Sequence, residues 1–210
     1  MGPLALALTL LLSVQAAEPV PDTRPAPTRP GLSWEQADSV VRTLRRVSRR
    51  VRSGRPASTD TIVVSQGEIN SFVNLTLAEQ IPPEVSDLEF QLEQDLLAAR
   101  AELNLDLLRT KLPAEGPAAM LSMLTGTVPV EIEGRFESAE GLARVELQSV
   151  LIGGINLPPS LLAQIVSMAT ASAEQPEGLD IRAPLALPWT ARSIRLEPGR
   201  ALFDFFPPPR

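Results

Sequence analysis

Two pairs of carboxylates stand close enough in this sequence to share a substrate: Glu131 with Glu133, and Glu177 with Asp180. Two carboxyl groups that face each other across a cleft can cleave a glycosidic bond, one as acid and the other as base or nucleophile. Glu131 and Glu133, however, fall two residues apart in an alternating segment, so both lie on the polar side of a strand, where charge is expected anyway. Composition removes most other chemistry. The chain has no His, Cys or Tyr, which excludes imidazole bases, thiolate nucleophiles, disulfides and the usual zinc ligand sets. No catalytic residue, metal site or cofactor is expected, and binding is the function class that remains.

The cations are unevenly placed. Lys111 is the only lysine beside 18 arginines. Seven of the arginines (Arg42, Arg45, Arg46, Arg49, Arg50, Arg52 and Arg55) crowd residues 33–55 against only Glu35 and Asp38, giving +5 in a chain whose total is −6. Arg42, Arg45, Arg46, Arg49 and Arg50 are expected to dock on anionic lipid headgroups, where each basic residue contributes about 1 kcal/mol near the surface. The alternative is a solvated face paired to the acidic remainder of the domain. Nucleic acid is not an expected partner, because the net charge is negative and few aromatics are present to stack on bases.

These side chains need elements to position them. Ser33 with Gln36 reads as a capping box that opens a helix, and Trp34, Ala37, Val40, Val41, Leu44, Val47 and Val51 form its apolar stripe. A short strand at Thr61 to Val64 follows, then a second box, Ser65 with Glu68. The next helix is expected to bury Ile69, Phe72, Val73, Leu77 and Ala78 until Pro82 and Pro83 stop it. Asn74-Leu75-Thr76 has the form of a glycosylation site but falls inside that helix.

The middle of the chain alternates. Leu88, Phe90 and Leu92, then Leu97, Ala99, Ala101, Leu103, Leu105 and Leu107, predict a hairpin with one buried face, turning at Gln94-Asp95. Val128, Val130, Ile132, Gly134 and Phe136 open a second hairpin that turns through residues 138–141 into Leu142 to Leu151. Residues 112–126 between the hairpins read as a loop or short helix. Further strands are expected from Leu179 to Ile181 and on either side of the turn at residues 197–200.

Glu146 and Glu174 bracket 27 residues without an ionisable side chain. Gly153, Gly154, Pro158 and Pro159 split this run, so it is no membrane span but a strand, a corner and a helix of about 13 residues, with Ser160 as its N-cap. Leu161, Leu162, Ile165, Val166 and Ala169 form one face, and Ala163, Gln164, Ser167, Thr170 and Ala171 the other. A surface helix normally carries charge on its outer side. This one is expected either to be covered in a core or to wall a site for an apolar ligand.

The first residues read as an export leader. Pro3 to Val14 is apolar, too short to span a bilayer, and Val14 and Ala16 suit cleavage after Ala16 or Ala17. Five prolines between Glu18 and Gly31 predict an extended linker. The expected organisation is a signal peptide at 1–17, a Pro-rich linker at 18–31, one α+β domain at 32–206, and a disordered tail at 207–210. The mature protein is expected in the periplasm or outside the cell.

The stretches "VVSQGEINSFVN", "GGINLPPSLLAQIV" and "LPWTARSIRLEPGRALFDF" together resemble the bacterial tubular lipid-binding (TULIP) superfamily, YpmS-like and LmeA-like members, over residues 33–206. Leu187, Pro188, Ile194, Leu196, Gly199 and Leu202 carry the C-terminal match, although three residues separate Trp189 from Ser193 where the family has a tighter turn. The resemblance implies a twisted antiparallel sheet curled around long helices, with an elongated apolar groove for an acyl chain or sterol-like ligand. Phe72, Phe90, Met120, Met123, Leu124, Leu161, Ile165 and Met168 are the candidate groove residues, with ordinary core packing as the alternative for each. The expected function is non-enzymatic lipid binding or transfer. The other candidate is a periplasmic scaffold or assembly protein that meets another protein through an apolar surface.

Overall fold

The apolar stripe beginning at Trp34 folds as α1 (Trp34–Arg52), burying Ala37, Val40 and Val47, with Val41 and Leu44 half-buried against the core. The expected box at its start does not form, because the Ser33 side chain makes no cap bond. A tertiary link takes its place: the Ser33 N–H donates to Ser71 Oγ (3.1 Å), and that hydroxyl donates to Gln36 Oε1 (2.9 Å). The computed structural model describes residues 24, 26–27, 29–53, 60–109, 125–158, 160, 180, 183–188 and 190–206. The expected leader at 1–17, the tail at 207–210, and most of the segments expected at 112–126 and 179–181 lie outside the described residues.

β1 (Ile62–Ser65) leads into α2 (Gln66–Ser71), where the second box forms in full. Glu68 N–H donates to Ser65 Oγ (3.2 Å) and Ser65 N–H donates to Glu68 Oε2 (2.8 Å). The helix then widens into a single π turn, Phe72–Thr76. The wider turn shifts the helical register, so Ile69, Phe72, Val73 and Leu77 are buried as expected while Ala78 is exposed.

The remaining elements are mostly strands: β2 (Val85–Glu93), β3 (Leu96–Asn104), β4 (Thr127–Ala139), β5 (Leu142–Ile152), β6 (Ile155–Asn156), β7 (Leu185–Ala186), β8 (Ala191–Glu197) and β9 (Arg200–Phe205). They form a six-stranded sheet in the order β2-β3-β4-β5-β6, with β7 also on β5, and a three-stranded sheet in the order β1-β9-β8. Every pairing among the described residues is antiparallel. The class is therefore α+β with mostly antiparallel sheet. Among the described residues only α1 is a long helix. The alternation expected to run on to Leu107 stops at Asn104, whose Oδ1 accepts the Leu107 N–H (3.1 Å). An Asn cap there starts the short helix α3 (Leu105–Arg109), which leaves Leu107 exposed.

One face of the larger sheet is apolar and supplies most of the core. Leu88, Phe90, Leu92, Ala99, Val130, Ile132, Phe136, Ala143 and Val150 pack there with Phe72, Val73 and Val40 from the helical layer. In β5 the phase of this row changes. Glu133 pairs with Ser149 but Gly134 with Leu147, so Gln148 is an extra residue. The inward row runs Ala143, Val145, Leu147 before the bulge and Val150, Ile152 after it. Gly134 sits at this point because a Cβ there would lie 2.8 Å from Val145 Cγ1 and 3.1 Å from the Glu146 carbonyl oxygen. The smaller sheet is tied to the hairpin ends: Ser138 Oγ donates to Ile194 O and accepts from Ile194 N–H, and Gly199 N–H donates to Leu92 O.

The free edge of β2 is closed by side chains rather than by another strand. Leu92 N–H donates to Gln66 Oε1 (2.8 Å). The Asn70 carboxamide donates to Phe90 O (2.9 Å) and accepts from Phe90 N–H (2.8 Å), and Asn74 Nδ2 donates to Leu88 O (2.8 Å). Four residues of helix rise about 6 Å and two residues of strand about 6.7 Å, so a polar residue at every fourth helical position meets every second strand residue. Asn74 is thus fully engaged, which leaves no role for it as a glycan acceptor. Arg29 reinforces the end of the row, donating to Asn74 Oδ1 and Leu88 O (3.3 Å each) and pairing with Asp87 (3.4 Å). Within the stretch expected to be an extended linker, Arg24 and Arg29 both pair with the domain.

Replacing Asn70 with Ala leaves the buried N–H and C=O of Phe90 without partners, at about 1–3 kcal/mol for each lost group. Urea denaturation of Asn70→Ala should therefore show a loss of about 2–4 kcal/mol, against under about 0.5 kcal/mol for exposed Gln91→Ala. Equal small losses in the two variants would show that the side-chain ladder does not hold the edge.

Candidate functional site

Glu131 and Glu133 stand on the exposed face of β4, where Glu131 lies 3.8 Å from Arg100 in the next strand. They belong to a row of surface charge, not to a cleft. Asp180 is exposed, and its expected companion Glu177 lies outside the described residues. Among the described residues no group of three or more acidic side chains is placed to hold a metal, and no helix is long and apolar enough to cross a membrane.

Of the eight candidate groove residues, Phe72 (0% exposed) and Phe90 (1% exposed) both belong to the buried core beneath the sheet. Met120, Met123, Leu124, Leu161, Ile165 and Met168 lie outside the described residues. Ser160 is itself helical rather than the residue before the helix.

The basic face of α1 is formed as the spacing predicts. Arg42, Arg46 and Arg49 project from one side at intervals of four and three residues, with Arg52 beside them, and all four are exposed. None of these four has a carboxylate within 4 Å among the described residues. The row from Arg42 to Arg52 covers about 15 Å of helix. Arg45 and Arg50 are half-buried alongside it. Arginines in the last turn also suit the negative end of the helix dipole.

Glu35 stands exposed in the first turn of α1, and two further acids near this face, Asp38 and Glu68, are spoken for. Arg24 clamps Asp38 with two hydrogen bonds (2.9 and 2.7 Å) and lies over the Trp34 ring at 4.5 Å from its centroid. The Arg24 hydrogen bonds hold the Asp38 carboxyl below its ordinary range against opposition from burial, with the charges of Arg24, Arg42 and Arg45 assisting. Burial works to raise the Glu68 carboxyl, but hydrogen bonds from Ser65 and Ser39 and the charge of Arg42 outweigh it, and the net direction is down. Sequence reading missed the Arg24–Asp38 clamp, because the pair spans a proline-rich stretch that carries no periodic signal.

Charge of the opposite sign covers the far side of the domain. The solvent face of the sheet exposes Glu89, Glu93, Glu131, Glu133, Glu137 and Glu146 against Arg100, Arg135 and Arg144. α1 and α2 lie on the apolar face of that sheet, so the outward sides of the two layers carry opposite charge.

A second feature sits at the edge of β5. β7 pairs with Leu142 and Ala143, β6 pairs with Leu151 and Ile152, and Leu157 N–H donates to Val150 O (2.8 Å). Residues 144–149 between them pair only with β4 among the described residues. A recess of about 490 Å³ opens there, lined by Arg135, Glu137, Arg144, Val145, Glu146, Leu147 and Ser160. Val145 and Leu147 continue the apolar row but are only half-buried.

No known protein-family model matches this chain, and neither do curated proteins or solved structures.

Because the folded-state values of Asp38 and Glu68 are lowered, the stability they contribute is full above the unfolded carboxylate range near pH 4 and is lost as pH falls through the folded values. The urea midpoint of Asp38→Asn should therefore lie below that of the wild type at about pH 6, with the gap closing on acidification below about pH 4. A gap that stays constant down to about pH 2.5 would contradict an ionised Asp38 clamp.

Proposed function

We propose that this chain is an exported, non-enzymatic lipid-binding protein that works against an anionic membrane, with the arginine face of α1 as its docking surface. The observation that carries the reading is the segregation of charge: Arg42, Arg46, Arg49 and Arg52 stand on one side without a carboxylate within 4 Å among the described residues, and the exposed face of the larger sheet on the other side is rich in acids. A net charge of −6 would hold the chain off an anionic surface if it were spread evenly. Separated as it is, the charge orients the molecule, and the basic side gains from nearby headgroups within about a Debye length while the acidic side stays beyond it. Guanidinium groups also suit phosphate, which they engage through two parallel hydrogen bonds. The ligand-holding part of the proposal rests on the uncharged run at residues 147–173 and on the resemblance to tubular lipid-binding proteins.

Flotation with vesicles tests the docking surface. Binding should require anionic lipid and weaken as salt rises. Neutralising three arginines at about 1 kcal/mol each (Arg42→Gln, Arg46→Gln and Arg49→Gln together) should lower partitioning by about two orders of magnitude. Binding that ignores lipid charge or survives the triple substitution would defeat the docking surface. Native mass spectrometry tests the ligand: the purified chain should carry or take up one phospholipid or sterol, and a delipidated chain that takes up neither would defeat lipid binding.

A further inference from the structure

We propose that the open edge of β5 is a docking site for a short extended segment of a partner polypeptide, added as an antiparallel strand between β6 and β7. This site is separate from the arginine face and does not depend on the membrane reading.

The backbone supplies the first reason. Along an antiparallel strand, alternate residues turn their N–H and C=O groups to opposite neighbours. Gly141 O accepts Leu187 N–H (2.7 Å), and Ala143 pairs with Leu185, so odd-numbered residues face outward at this end of β5. Val145 and Leu147 come next in that set, before the bulge at Gln148 changes the phase. Their outward groups meet no partner among the described residues. The edge of β2 is closed by Gln66, Asn70 and Asn74, whereas among the described residues nothing pairs with this stretch of β5, which lies beside the recess. An acyl chain cannot bond to these groups, but a peptide strand can, and strand addition to a sheet edge is a recurring mode of peptide recognition.

The side chains supply the second reason, and they specify the segment. Val145 and Leu147 end an apolar row that is otherwise buried, so a partner should place apolar residues opposite both. On the solvent face the charges already alternate across the sheet: Glu137 stands opposite Arg144, and Arg135 opposite Glu146. Continuing that pattern calls for an acid opposite Arg144 and a base opposite Glu146. Read antiparallel from Leu147 to Arg144, the complementary segment is apolar–basic–apolar–acidic. The opening holds six residues, 144–149, bounded by β7 on one side and β6 on the other. Among the described residues that opening is shorter than any of β2 to β5, which suits a short linear segment rather than a full-length strand from a second copy of this chain.

The test is titration of the full chain with a fluorescent, end-blocked hexapeptide whose core is valine–lysine–valine–glutamate. Saturable binding is expected below about 1 mM. A peptide N-methylated at a bonded amide should bind at least about tenfold more weakly, and Arg144→Glu should favour a peptide with its two charges exchanged. Val145→Pro removes an outward donor without touching the β4 ladder, so it should abolish binding while the circular dichroism stays unchanged. No binding at about 1 mM, equal affinity for the N-methylated peptide, or displacement of the peptide by a fatty acid would overturn the proposal.

Discussion

Everything in this fold depends on how the outer strand β2 is closed. An edge strand beside packed helices must not be left with bare amides. Here the carboxamides of Gln66, Asn70 and Asn74 take the place of a neighbouring strand, made possible by the near match between four helical residues and two strand residues. That lock fixes α2 along β2 and brings Phe72 and Val73 under the sheet. Ser71 at the end of α2 then holds the start of α1 through Ser33 and Gln36, where Gly67 admits the close approach: a Cβ on it would lie 3.2 Å from the Gln36 carboxamide. The position of the arginine face is thus set by three amide side chains at the opposite end of a chain of contacts.

Much of this was legible in sequence where a single period governs burial. Period-two alternation located β2, β3 and β4, and the turns at Gln94-Asp95 and at Pro198-Gly199, which separates β8 from β9, fell as expected. The Ser65–Glu68 box marked the start of α2, and the three- and four-residue spacing of α1 separated its apolar and basic sides. The failures came where tertiary bonding overrode a local signal. Ser33 and Gln36 have the spacing of a box, but Ser71 recruits both. The leucines at 105 and 107 continue the alternation in type, yet Asn104 caps a helix over them.

The candidate surfaces were legible to different degrees. Exposure of Arg42, Arg46, Arg49 and Arg52 on one side of α1 follows from spacing alone, whereas Arg45 and Arg50 of the expected set are half-buried and Arg55 lies outside the described residues. The open stretch of β5 was visible only as a change of phase, from Ala143, Val145 and Leu147 to Val150 and Ile152. Its significance depends on where β6 and β7 stop, which no local pattern encodes. Phe72 and Phe90 are apolar and large, properties that suit a ligand wall and a closed core equally. Placement in the core came from the Asn70 lock on Phe90, a contact across 20 residues of sequence.

The central functional claim is orientation: the side of α1 that carries the arginines meets the membrane, and the acidic sheet face looks away. The chain has no cysteine, so a single polarity-sensitive label can be placed at will. Ser53→Cys, at the end of α1 on the line of Arg42, Arg46 and Arg49, and Gln91→Cys, on the exposed side of β2, both leave the charge unchanged. On adding anionic vesicles, the label at 53 should shift its emission to the blue and the label at 91 should not. A shift at 91, or no shift at 53 under conditions where the chain floats with the vesicles, would contradict the proposed orientation.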